Sequence, residues 1–83
     1  MEKFPKLLDY QVALMRADIF TGHVLDNNLK VARLPEQSVY TIFNSVDEAL
    51  AYAKSIILSN KTIECVIYGS KQEVLYYLKD QLL

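Results

Sequence analysis

Eighty-three residues carrying nine basic and ten acidic side chains give a net charge of −1, a balance that excludes a general nucleic-acid binder, which needs a basic surface. The length holds one core, since chains divide only well above ~200 residues, and a single cysteine with a single histidine leaves neither an internal disulfide nor a structural zinc site. No apolar run approaches the ~20 residues of a membrane span and no export signal opens the chain, so the sequence predicts one soluble domain over residues 1–83, in a reducing cytoplasm and with no membrane partner.

From the start, Pro5 disfavours helix at Phe4 and sets off a short lead-in before Leu7 and Leu8. Tyr10, Val12 and Leu14 alternate with Gln11, Ala13 and Met15 as a half-buried strand does, although Leu8, Val12, Met15 and Ile19 also fit a helical stripe. The flank favours a strand at about 10–18. There Asp18-Ile19-Phe20-Thr21-Gly22 resembles a hairpin loop, with an Asp that bonds its own backbone and a Gly free to take positive φ. His23-Val24-Leu25 then begins a return strand, Asp26-Asn27-Asn28 reads as a turn, and Leu29 to Leu34 alternates again until Pro35 ends it. A further strand is predicted over Ser38–Phe43.

Two stretches repeat one pattern: an apolar run ends in Asn44-Ser45-Val46-Asp47-Glu48, and another in Gly69-Ser70-Lys71-Gln72-Glu73. Each Ser-x-x-Glu is a capping-box signature, in which the Ser hydroxyl accepts the N–H three residues on. Leu50, Tyr52, Lys54 and Leu58 are matched by Leu75, Tyr77, Lys79 and Leu83 at a constant offset, which convergence on one helix template explains. The first box starts a helix from Val46 to Leu58, with Val46, Ala49, Leu50, Ala53, Ile56 and Ile57 on one face and a stop at Asn60 in the left-handed conformation. Thr62–Tyr68 is rich in β-branched residues and predicts a buried strand. For Lys71 to Leu83 the second box and the stripe Val74, Leu75, Leu78, Leu82 favour a helix over a strand.

The fold class this implies is α+β: an N-terminal antiparallel hairpin or meander followed by β-α-β-α, with two helices on one face of a small mixed sheet. In that arrangement the strands 38–43 and 62–68 are parallel neighbours. The uncovered sheet face would carry some of Tyr10, Val12, Leu14, Val31, Tyr40 and Tyr68.

Chemistry is sparse. His23 follows a hairpin loop within reach of Asp18, Asp26 and Arg16, yet no nucleophile accompanies it, so it reads as a solvated turn residue. Cys65 lies mid-strand among apolar neighbours, where a thiol is inert. Asp47-Glu48 and Asp9 with Asp18 lack the spacing of a calcium loop, and the tyrosines lack the basic interleaving of a single-strand binder. The one constellation with a physical argument is the pair of helix starts, where Asn44, Ser45, Gly69, Ser70 and Lys71 would offer free N–H groups and an ammonium to an anion. Against it, Asp47, Glu48 and Glu73 occupy the same first turns and would repel one.

The sequence therefore predicts no catalytic residue, metal or cofactor. Its apolar excess, 52% of residues at a mean hydropathy of +0.09, points to a small non-enzymatic protein-interaction or regulatory domain that associates with itself or with another protein. The alternative is a small-ligand or anion site at residues 44–45 and 69–71, with an enzyme completed at a dimer interface as one form of it.

Overall fold

The computed structural model describes residues 1–83 and arranges, in chain order, β1 (Val12–Asp18), β2 (Val24–Leu25), β3 (Tyr40–Phe43), α1 (Val46–Ser59), β4 (Ile63–Tyr68), β5 (Val74–Leu78) and a short 3-10 turn at Asp80–Leu82. β1 is the hub of the sheet. One of its edges pairs with β4, from Ala13↔Tyr68 to Asp18↔Ile63; the other is shared by β3, from Val12↔Phe43 to Met15↔Tyr40, and by β2 at Arg16↔Leu25 and Ala17↔Val24. β5 lies outside β4, from Cys65↔Leu78 to Tyr68↔Val74, with a bulge opposite Ile67 and Tyr68.

Every pairing is antiparallel, so the expected β-α-β-α unit on a mixed sheet is not the fold: one helix covers five antiparallel strands. β3 and β4 do run in the same direction, because each is antiparallel to β1. They are not neighbours, however. β1 lies between them, and α1 crosses over it to join them.

The C-terminal segment is the largest departure, with Val74–Leu78 forming a strand where a helix is expected. Val-Leu-Tyr-Tyr-Leu is a run of good strand formers. A helix there would have left β4, the strand with alternate residues Ile63, Cys65 and Ile67 fully buried, as a bare edge. The turn before β5 is closed by Gly69 N–H on the Glu73 carbonyl at 2.9 Å and by Gln72 N–H on the Gly69 carbonyl at 3.0 Å, with Gln72 at φ 62°. Long-range pairing thus overrides the local helix stripe.

Three smaller expectations also change. Leu29–Leu34 does not form a strand; it lies against β2 through the single bridge Leu25↔Val31 and the Ala32 N–H on the Val24 carbonyl. Asn60 is extended, at φ −146°, rather than left-handed, and its side chain bonds the Thr62 N–H and hydroxyl. Val12 and Leu14 face the helix and are buried instead of lying on an open face.

Ser45 caps α1 by accepting the Glu48 N–H at 3.1 Å, and its hydroxyl donates to the Glu48 carboxylate at 3.2 Å, so the Glu binds the Ser side chain and not its N–H. Ala49, Ala53 and Ile57 form the buried stripe of α1 and pack on Val12, Leu14, Ile63, Cys65, Ile67 and Leu78. Burying one large aliphatic side chain of this set is worth about 1.5–3 kcal/mol. On the opposite face the lead-in folds back: the Phe4 ring meets Tyr40 and Tyr68 edge-on at centroid distances of 5.3 and 5.7 Å.

Candidate functional site

The alternation of β1 sends Val12, Leu14 and Arg16 to the same face, toward α1, so a guanidinium stands where the period demands an apolar side chain. Arg16 is 0% exposed. Its Nη1 donates to Thr41 Oγ1 at 2.8 Å and to the Tyr52 hydroxyl at 3.4 Å; its Nη2 donates to Asn27 Oδ1 at 2.5 Å and to the Val39 carbonyl at 3.0 Å. The guanidinium carbon lies 6.0 Å from the Tyr52 ring centre, and that ring leans on Phe43. Every acceptor is neutral. The only ion pair in the protein is the exposed Lys61–Asp80 contact, and Arg16 Nε has no partner. A buried cation with no counter-ion and one idle donor is costly, and it is the most unusual chemical feature of this fold.

The charge is screened from solvent by a polar loop. Asn27 is exposed, and its Oδ1 receives both Arg16 Nη2 and the Thr41 hydroxyl, the latter at 3.0 Å. Next to it, Asp26 is buried and ties the loop together, accepting the N–H groups of Asn28 at 2.8 Å and Lys30 at 3.0 Å and the Gln37 amide at 2.8 Å. The Gln37 amide, the Lys30 and Asn28 N–H groups and the Lys30 charge hold the Asp26 carboxyl below its ordinary range against the opposing effect of burial. An open cavity of about 380 Å³ lies over this loop, lined by Asp26, Asn27, Asn28, Glu36, Gln37 and Ser38.

The residues expected to bind an anion occupy one end of the sheet. Ser45 is committed to the α1 cap, and Asn44 Oδ1 accepts the Gln11 amide at 3.1 Å. Gly69, Ser70 and Lys71 belong to the β4–β5 turn, where the Lys71 N–H is taken by the Glu73 carboxylate at 2.9 Å. Ser70 starts no helix, so two helix N-termini do not meet; β1 separates the two loops, and the one remaining N-terminus carries Asp47 and Glu48.

His23 is exposed, and neither expected carboxylate orients it: Asp18 accepts the Phe20 and Thr21 N–H groups, and Asp26 is consumed within its own loop. Cys65 is fully buried, and burial pushes its thiol up to about 11 despite the neighbouring Arg16 charge. No group of three or more His, Cys, Asp or Glu side chains gathers to hold a metal. Beside His23 in sequence terms, Arg16 carries a stronger signal of its own, its place in the Val12, Leu14, Arg16 alternation. No helix is long and apolar enough to cross a membrane.

The chain matches no family model, no curated protein and no solved structure.

Proposed function

We propose that this chain is a small non-enzymatic interaction domain that self-associates through the outer edge of β5. The observation that carries this reading is the exposure of four successive apolar residues on that edge strand, Val74 at 60%, Leu75 at 40%, Tyr76 at 44% and Tyr77 at 43%. A long apolar strand edge with no charged residue is a template for pairing with another chain.

The opposite side of the sheet is protected. β2 is flanked by Val31 and Ala32, and at β3 the Glu2 carboxylate accepts the Val39 and Tyr40 N–H groups at 3.0 and 3.1 Å. β5 has no such cover, since β4 is its sole strand neighbour. Glu73 precedes β5 and Lys79 follows it, so two copies aligned antiparallel set an acid against a base at both ends of the pairing. A net charge of −1 per chain adds little repulsion between copies.

Sedimentation at micromolar concentration tests the reading. Wild-type protein should form dimers, and Val74→Lys with Tyr76→Lys should give a folded monomer, because edge lysines block strand addition. A wild-type monomer throughout the concentration range sinks self-association.

A further inference from the structure

We propose that Arg16 anchors a carboxylate-binding site, entered through the cavity above residues 26–28 and 36–38, in which the ligand carboxylate takes the place of the Asn27 side-chain oxygen. The site lies at the end of the sheet away from β5 and does not depend on self-association.

The Arg16 guanidinium lacks a counter-ion and a partner for Nε. Arginine presents five N–H donors in a planar fork matched to carboxylates and is charged at any physiological pH. Buried arginines are ordinarily paired with an acid. Here the side chain is 0% exposed, has four neutral acceptors and leaves Nε idle. A positive charge without a counter-ion therefore remains in the interior, bonded to neutral acceptors of which one can be exchanged.

Only one acceptor meets that condition. The Val39 carbonyl is buried backbone, the Tyr52 hydroxyl is held by a ring packed on Phe43, and Thr41 belongs to β3. Asn27, by contrast, is an exposed loop residue that also lines the 380 Å³ cavity. Its Oδ1 sits where two donors converge, Arg16 Nη2 and the Thr41 hydroxyl. Displacing it would free both donors on the inner side of Asn27, the residue that separates them from the cavity.

Geometry also selects the ligand class. The group now in place is a planar amide, and a carboxylate has the same shape with a full charge on its oxygens. Asp26 and Glu36 line the same cavity and would repel a dianion more strongly than a monoanion, which disfavours phosphate. A small molecule bearing one carboxylate fits both conditions.

The test uses the full chain, isotope-labelled, titrated with sodium acetate against sodium chloride at constant ionic strength. Acetate should shift the Arg16 Nε–H and the Asn27 side-chain amide signals together, with saturation, while sodium phosphate at the same ionic strength should not. Asn27→Ala removes the competing oxygen and should tighten acetate binding about tenfold, the scale of one hydrogen bond to a charged group. Asn27→Asp supplies the carboxylate from within the chain and should abolish the shift. Unmoved Arg16 and Asn27 signals in the wild-type titration overturn the proposal regardless of how the variants fold. An equal response to phosphate overturns the assignment to a carboxylate.

Discussion

The Glu73 carboxylate accepts the Lys71 backbone N–H at 2.9 Å, two residues before it in the chain, and so closes the β4–β5 hairpin instead of a helix. It also fills the space beside Gly69, where an added Cβ would lie 2.6 Å from Glu73 Oε1. Glu73→Ala should therefore cost about 0.5–1.5 kcal/mol in urea unfolding, the range for one hydrogen bond near water. Gly69→Ala should cost a similar amount by pushing the carboxylate aside. The two losses should not add, because each removes the same contact; additive losses would mean that Gly69 matters for another reason.

β5 buries one residue and exposes the rest. Leu78 is 7% exposed, opposite Cys65, whereas Val74 is 60% exposed. Leu78→Ala should destabilise by about 2–4 kcal/mol through lost burial and the cavity left behind. Val74→Thr should stay within about 0.5 kcal/mol. Comparable losses at both positions in thermal unfolding would contradict a one-sided edge strand.

The contrast between the two Ser-x-x-Glu segments shows which physics was legible in the sequence. At Ser45 the local signal and the tertiary demand agree: the cap starts α1, and Ala49, Ala53 and Ile57 then meet the sheet. At Ser70 they disagree, because Val74–Leu78 gains more by pairing with β4 than by forming a terminal helix. Nothing local reveals that β4 lacks a neighbour on that side. Strand order was hidden for the same reason: the long β1 can serve as centre only if two later strands pair with it, and sequence spacing does not encode which. Arg16 was legible in principle, since strand alternation places it inward. Its lack of an acid partner depends on loop 26–38 folding over it, which only the three-dimensional arrangement shows.

Removing the Arg16 charge should cost less than removing a partner from a buried ion pair. That operation typically costs about 3–5 kcal/mol because a charge is stranded, but the partners of Arg16 are all neutral. In Arg16→Met, Asn27 is exposed and can turn to water, while the Val39 carbonyl, on a residue that is 0% exposed, loses the donor Arg16 supplies at 3.0 Å. The expected loss is about 1–3 kcal/mol, the scale of one unsatisfied buried group. A loss well above that range in urea unfolding would show that an anionic group pairs with Arg16 in solution.

Asp26 should give the protein a measurable acid limb. Hydrogen bonds from Gln37 and from the Lys30 and Asn28 backbones, with the Lys30 charge, lower its folded-state value from the ordinary 3.8. A depressed carboxyl binds its proton less tightly in the folded chain than in the unfolded one, so its stabilising contribution is complete above the ordinary value and drains away as pH falls through the folded value. Asp26→Asn removes that linkage and also sets an amide donor against the Gln37 amide, in place of the present 2.8 Å bond. Urea unfolding as a function of pH should then show lower stability near neutrality and a flatter decline below about pH 4. Acid limbs of equal slope in the two proteins would mean that Asp26 titrates alike in the folded and unfolded chains, and that the hydrogen bonds within loop 26–38 do not favour its charged form.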